Sequence, residues 1–159
     1  EKLGLESEEV EGLRVASSLH DVGKIGIPSE ILSKPGPLTE AEYALVKSHP
    51  GIGHDILAGV EFPWPVAEIV LEHHERLDGS GYPEGLKGED IPFGARIAGI
   101  ADVTEAMLSH RPYRPAWPLE KVLEELSEKK GILYDPDGAE ICIRLLEEGY
   151  TLDDQWFYK

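Results

Sequence analysis

The sequence predicts an all-α fold, and three observations lead to that prediction. Apolar residues recur at helical spacing in successive segments, residues that favour helix starts precede several of them, and no segment alternates between apolar and polar residues as a half-buried strand does. We therefore expect residues 1–159 to form a single domain, a compact bundle of about six to seven helices.

The first predicted helix begins at Ser7, where two glutamates follow, and ends near His20 and Asp21. The next segment contains several prolines and glycines, which predicts an irregular loop with one short helical turn at SEIL, residues 29–32. His20 and Asp21 are therefore expected at a junction between a helix and a loop.

Two further helices are predicted before the middle of the chain. Thr39 and Glu42 have the spacing of a capping box, which opens a helix that continues to about Ser48. The segment HPGIGHDIL then starts another helix, in which Pro50 is tolerated because it lies in the first turn.

The second half begins with a helix that carries two adjacent histidines. In PWPVAEIVLEHHER, His73 shares one face with the apolar residues, and His74 lies about 100° round the helix axis, so both imidazoles can face one cavity. Residues 78–92 are rich in glycine and proline and predict a loop. A long helix, FGARIAGIADVTEAMLSH, follows and ends before Arg111, and two amphipathic helices, PLEKVLEELSEKK and DPDGAEICIRLLEEG, complete the prediction.

The composition predicts a soluble protein with a strongly acidic balance. Fifteen Lys and Arg against 31 Asp and Glu give a net charge of −16, which would repel duplex nucleic acid. No apolar run approaches the roughly 20 residues that span a bilayer. There is no secretory signal pattern and only one cysteine, so we expect a cytoplasmic protein without disulfides.

Potential metal ligands lie on separate predicted segments. Imidazole nitrogens and carboxylate oxygens, with no thiolates among them, suit Mn²⁺, Fe²⁺, Zn²⁺ or Co²⁺ better than a structural cysteine-type zinc site. Because a carboxylate has two oxygens, one Asp can bridge two ions, and two cations about 3.5 to 4 Å apart would polarise a phosphoryl group for in-line attack by hydroxide. The pattern therefore predicts phosphoester hydrolysis at His20, Asp21, His49, His73, His74 and Asp102.

Four motifs, in order along the chain, resemble the HD-GYP family, a branch of the HD metal-dependent phosphohydrolases. They are HDVGK at 20–24, HP at 49–50, HHERLDGSGYPEGLKGEDIP at 73–92, and ARIAGIADVTEAMLSHRPYRPA at 95–116. The resemblance implies an HD-type helical bundle that hydrolyses cyclic di-GMP to linear pGpG and, as often in the family, onward to GMP. It also implies that the domain binds two or three divalent transition metals, iron or manganese. The implied biological role is bacterial second-messenger signalling.

The resemblance implies roles for individual residues. Asp21 is expected to bridge two metals and, with Lys24 near the reacting phosphate, to act in catalysis. His74 matches the position that holds a third metal, and Tyr82 in the GYP segment is expected to help shape the substrate pocket. The implied metal ligands are His20, Asp21, His49, His73, His74 and Asp102, and the implied substrate contacts are Lys24, Tyr82, Arg111 and Arg114.

The chain departs from the family pattern before His20. Family members carry a further His ligand on a helix well before the His-Asp pair, whereas only nineteen residues precede His20 here, so we expect this first helix to be missing. An incomplete set of ligands leaves a second hypothesis open: a catalytically impaired module that binds a cyclic dinucleotide or a partner protein. The expected partners are a GGDEF-type diguanylate cyclase domain, an upstream sensor or receiver domain, or a second copy of the chain. A third hypothesis is hydrolysis of another phosphoester, such as a different cyclic dinucleotide.

Structural alternatives also stand beside the functional roles. Asp102 could be a buried polar residue paired with Arg96 or Lys24, and His74 could support a ligand or face solvent. Tyr82 could simply pack the loop, because a GYP turn has a use in folding.

Overall fold

The computed structural model describes residues 2–110 and 114–151, and regular structure within these ranges is helical. No β-strand occurs there, and the pairing of Lys130 with Tyr134 is an isolated bridge, so the all-α prediction is confirmed. The eight α-helices of these ranges are α1 Ser7–Leu19, α2 Ser29–Leu32, α3 Glu40–Val46, α4 His49–Leu57, α5 Val66–Glu72, α6 Phe93–Leu108, α7 Leu119–Lys129 and α8 Pro136–Glu147. Helix α2 is the single turn expected at SEIL, and short 3₁₀ segments lie at Val22–Gly26 and Gly88–Asp90.

Local capping explains where several helices begin. Thr39 and Glu42 form the predicted capping box, with the Thr39 amide donating to Glu42 Oε2 at 2.7 Å. An equivalent box with glutamates opens α1, where the Glu6 amide donates to Glu9 Oε2 at 2.8 Å. The Asp135 carboxylate accepts from the amides of the first turn of α8 and pairs with Arg96 of α6 at 2.8 Å.

The hydrophobic core consists of two clusters that share α6. The first joins α1, α4, α5 and α6 and contains Ala16, Leu57, Val66, Ile69, Val70 and Ala98. The second joins α6, α7 and α8 and contains Ile100, Val122, Leu126, Tyr134, Ala139 and Leu146. Because α6 contributes to both clusters, its position relative to α5 is fixed from two sides.

Helix α5 ends earlier than the sequence pattern predicts. It stops at Glu72, His73 is its C-terminal cap, and His74 lies in the following turn. Competing donors explain the early end: the Arg76 guanidinium donates to the His73 carbonyl at 3.2 Å, and the Tyr82 amide donates to the His74 carbonyl at 3.3 Å. The two histidines therefore leave the helix together instead of continuing it.

Two glycines allow backbones to approach each other closely beside the histidines. A Cβ added to Gly99 of α6 would lie 2.4 Å from the His73 carbonyl oxygen, and one added to Gly23 would lie 1.9 Å from the His49 carbonyl oxygen. Both contacts are with backbone, which cannot move aside as the end of a flexible side chain can. Glycine is therefore required where α6 crosses the end of α5 and where the 3₁₀ segment crosses α4.

None of the described helices has both the length and the apolar character needed to cross a membrane.

We expect Gly99→Ala to lower the free energy of unfolding by about 2 kcal/mol or more, because the added methyl group would push α6 away from α5. Gly51→Ala is a matched control in helix α4, since a Cβ there has no described neighbour within 4 Å and alanine favours helix. Chemical denaturation of both variants measures the difference. Equal stability of the two would show that α6 can shift at no cost.

Candidate metal centre

Four histidines from three helix junctions meet at one place. His20 follows α1, His49 begins α4, His73 caps α5, and His74 comes directly after it. The ring centroids of His20 and His73 are 5.2 Å apart, those of His49 and His74 are 5.1 Å apart, and those of His73 and His74 are 4.0 Å apart. The structure thus brings together histidines that the sequence separates by more than fifty positions.

Two carboxylates lie among these rings, and each directs its two oxygens at different histidines. Asp21 places Oδ1 3.5 Å from His49 Nε2 and Oδ2 3.4 Å from His20 Nε2. Asp102, from the middle of α6, places Oδ1 3.7 Å from His20 Nε2 and Oδ2 3.8 Å from His74 Nδ1. Arg96 and Lys24 pair with Asp135 and Asp21 instead of Asp102. Asp102 therefore faces histidines, as a ligand would.

The same hydrogen bond orients three of the imidazoles. Nδ1 lies 2.7 Å from the backbone carbonyl oxygen three residues earlier in His20, His49 and His73, with partners Ser17, Val46 and Val70. A carbonyl oxygen only accepts, so Nδ1 carries the proton in each bond, and the neutral ring has its lone pair on Nε2. In each case Nε2 is the atom that can bind a cation.

Two of these lone pairs have no partner among the described residues. His49 and His73 are 1% and 0% exposed, and the Nε2 atoms of both are buried without a hydrogen bond. An unsatisfied buried polar atom costs roughly 1–3 kcal/mol, and a cation would remove that cost. The residues therefore fit a bound metal ion.

Ligand atoms with the spacing of a metal site form two groups in the described part of the chain. One consists of His49, His73 and His74, and the other of His20, Asp21 and His73; within each group the atoms lie within 4.8 Å of one another. His73 belongs to both groups, and Asp21 presents one oxygen toward each. Two neighbouring cation positions are consistent with this arrangement.

Burial keeps three imidazoles neutral, as a metal ligand must be. It lowers the pKa of His73 to about 4, with a further contribution from the nearby His20. It also lowers the pKa of His49 and that of His74, to which the adjacent His73 contributes further. These rings offer lone pairs at neutral pH without first losing a proton.

The carboxylate on α6 stays ionised despite its burial. Burial alone would raise the pKa of Asp102, but its interactions with His20 and His74 outweigh burial and hold the pKa below its usual range. Burial likewise would lower the pKa of His20, but Asp102 and Asp21 raise it above its usual value. The negative charge thus lies where a cation would be bound.

A lysine lies against one of the carboxylates. Lys24 Nζ is 2.5 Å from Asp21 Oδ2, and both side chains are partly exposed. The lysine adds positive charge to the open side of the centre, next to where an anion would bind.

The GYP loop covers the side of the centre that contains His74. The Tyr82 ring stacks on the His74 ring, with centroids 4.6 Å apart and an interplanar angle of 26°. Burial raises the pKa of the Tyr82 phenol, so it stays protonated. A Cβ added to Gly81 would lie 2.5 Å from the His74 carbonyl oxygen, so the loop packs directly on the histidine backbone.

Glu75 holds this loop, and sequence reasoning missed it. Its carboxylate, 4% exposed, accepts hydrogen bonds from three successive loop amides: those of Glu84 at 2.7 Å, Gly85 at 3.0 Å and Leu86 at 3.0 Å. A glutamate beside two histidines gives no sign in the sequence that its partners lie nine to eleven residues later. Only its position inside the HHERLDGSGYP motif could have indicated a role.

The sequence matches the family model described as HD domain over residues 1–138. The chain belongs to the HD domain family. This HD domain is 49% identical over 146 residues to the cyclic di-GMP phosphodiesterase response regulator RpfG of Xanthomonas campestris pv. campestris, an alignment that covers 91% of the chain and 39% of that protein. It is also 41% identical over 147 residues to the 3'3'-cGAMP-specific phosphodiesterase 2 of Vibrio cholerae. This alignment covers 91% of the chain and 28% of that protein.

A solved structure shares the fold. An HDG"Y"P protein from Bdellovibrio bacteriovorus superposes with a TM-score of 0.76 at 22% identity, over 92% of this chain and 47% of that one. Together these matches confirm the HD-GYP resemblance seen in the motifs. The HD domain spans less than half of the length of each protein named above.

Arg114, the predicted substrate contact within the described residues, contacts the end of α6. Arg114 donates to the carbonyls of Ala106 at 2.5 Å and Pro115 at 3.1 Å, and its guanidinium lies 5.7 Å from the Trp117 ring centroid. It therefore caps the end of α6 in this HD domain, and the substrate contact expected for Arg114 stays a prediction. Arg111 lies outside the described residues.

We expect Asp21→Ala to remove most of the bound metal, because both oxygens of Asp21 face ligand histidines. His54→Ala is the control, since His54 is partly exposed and its Nδ1 lies 3.5 Å from Oδ1 of the neighbouring Asp55, which is not a candidate ligand. Elemental analysis of the purified variants measures the metal content. Equal metal content in the two variants would refute the bridging role of Asp21.

We expect Glu75→Ala to release the GYP loop, because three amides would lose a charged acceptor. Hydrogen exchange at Glu84, Gly85 and Leu86 should accelerate about 10- to 100-fold, while exchange in α7 stays unchanged. Glu89→Ala, at an exposed glutamate near the same loop, is the control. Unchanged exchange at the three amides would show that the loop is held by other contacts.

Proposed function

We propose that this HD domain is a metal-dependent phosphodiesterase that hydrolyses cyclic di-GMP to linear pGpG and onward to GMP. One observation carries the proposal: the carboxylate oxygens of Asp21 and Asp102 face ring nitrogens of three histidines. These histidines are His20, His49 and His74. The relationship to a named cyclic di-GMP phosphodiesterase at 49% identity supports the choice of substrate.

The residues of the chain have separable tasks in this proposal. His20, Asp21, His49, His73, His74 and Asp102 would hold two or three divalent cations, for which iron or manganese fits the nitrogen and oxygen donors. When bound, such cations polarise a phosphoryl oxygen and make water a stronger nucleophile. The buried Nε2 atoms and the ionised Asp102 are oriented before binding, so little reorganisation is required.

Lys24 is the residue that would meet the substrate phosphate. Its ammonium lies at the open side of the centre beside Asp21, where it can donate to a nonbridging phosphate oxygen as negative charge develops. Its positive charge offsets locally the net charge of −16, which would otherwise repel an anionic substrate. Tyr82, stacked on His74, would shape the opposite wall of the pocket.

A second candidate substrate is 3'3'-cGAMP, because a relative at 41% identity is named for that activity. Both cyclic dinucleotides present the same phosphodiester to the centre and differ in one base. The remaining parts of the proposal follow from the HD-GYP resemblance. They are a cytoplasmic location and an association with a GGDEF-type cyclase domain, an upstream sensor or receiver domain, or a second copy of the chain.

Incubation of iron-loaded or manganese-loaded protein with cyclic di-GMP, 3'3'-cGAMP and pGpG, followed by product chromatography, tests the proposal. We expect linear pGpG from cyclic di-GMP, loss of activity after chelation, and at least a 100-fold lower rate for Asp21→Ala than for the control His54→Ala. Tight binding of cyclic di-GMP without turnover under either metal would instead identify a binding module. Faster hydrolysis of 3'3'-cGAMP would assign the second substrate.

A further inference from the structure

A cavity of about 480 Å³ lies beside the candidate metal centre, and two residues of its wall contact residues of the centre. Lys24 lines the cavity and contacts Asp21, and Val46 lines it and accepts from His49 Nδ1 through its carbonyl. The rest of the wall comes from helices α2 and α3 and the turn between them, including Leu32, Pro37, Thr39 and Tyr43. The wall of the cavity and the metal centre are therefore in contact at these two residues.

A second set of contacts joins the cavity to the GYP loop. Lys47 Nζ lies 5.2 Å from the ring centroid of Tyr43 and 5.6 Å from that of Tyr82. Tyr82 in turn stacks on His74. The cavity is thus connected to the metal centre from the Asp21 side and from the His74 side.

The wall combines an aromatic face with positive charge. Tyr43 is 49% exposed although it lines a cavity, so part of its ring is open to a ligand. Lys24 and Lys34 line the cavity and pair with Asp21 at 2.5 Å and with Glu42 at 2.6 Å, and Lys47 Nζ lies over the Tyr43 ring. An aromatic ring beside a lysine suits a planar group that carries acceptor atoms, such as a purine base.

We propose that this cavity is the subsite for one nucleobase of a cyclic dinucleotide, with the base stacked on Tyr43 and Lys47 near its acceptor edge. The volume lies within the range of about 300–1,000 Å³ that is usual for ligand sites. The proposal rests on the proposed function, because the phosphodiester must lie at the metal centre for a base to reach Tyr43. Tyr43 is then a binding residue for the base and has no part in the phosphoryl chemistry.

Calorimetry on metal-loaded protein with two probes tests the subsite. The probes are the bis-phosphorothioate analogue of cyclic di-GMP, which resists hydrolysis, and inorganic phosphate, which can bind the centre but has no base. For Tyr43→Ala we expect the Kd of the analogue to rise about tenfold and the KM for cyclic di-GMP to rise similarly. The Kd of phosphate should change less than about twofold, since stacking is lost only by a ligand with a base.

Two matched variants complete the design. Tyr43→Phe keeps the stacking face and should bind the analogue within about twofold of the unmodified protein. Tyr150→Ala removes a tyrosine of similar exposure, 46%, beyond the end of α8, and should change neither Kd.

The outcomes separate this subsite from the proposed function. An unchanged affinity of Tyr43→Ala for the analogue, or an equal loss of affinity for both probes, would overturn the subsite while leaving the phosphodiesterase proposal in place. Failure of the unmodified protein to bind the analogue, with phosphate still bound, would overturn both.

Discussion

Three imidazoles in this protein donate from Nδ1 to a backbone carbonyl three residues earlier, each at 2.7 Å. The accepting carbonyls lie in the last turns of α1, α3 and α5, where helices run out of amide partners. Each of these hydrogen bonds therefore has two effects. It satisfies a carbonyl at a helix end, and it fixes the tautomer and direction of the ring. The remaining features of the centre depend on the Nε2 atoms that these bonds turn inward.

Burial of Nε2 atoms without hydrogen-bond partners costs free energy, which other interactions of the fold must offset. His49 and His73 are buried with Nε2 unpaired within the described chain, and burial holds both rings in their neutral form. The close approach of α6 at Gly99 and of the 3₁₀ segment at Gly23 encloses these rings in packed backbone. The hydrophobic clusters on both sides of α6 then supply the burial energy that holds polar atoms in this arrangement.

The residues around the centre contact its candidate ligands directly. Lys24 touches Asp21 and also lines the neighbouring cavity, while Tyr82 touches His74 and shares Lys47 with Tyr43. Glu75 anchors the loop that carries Tyr82 through three amides. A single network thus links the positions where cations, a phosphate and a base would bind, in a domain whose overall charge is strongly negative.

The sequence by itself determined the helical class, the capping box at Thr39, the helix end near His20 and the identity of the candidate ligands. These depend on local periodicity and residue chemistry. It also carried the HD-GYP motifs, which the comparisons confirm. Only the tertiary structure decided which oxygen of Asp21 faces which histidine, that Glu75 holds the loop, that Arg114 caps α6, and that Tyr43 lines the same cavity as Lys24. These features arise from contacts between residues far apart in the chain or from side-chain directions, and helical periodicity fixes neither.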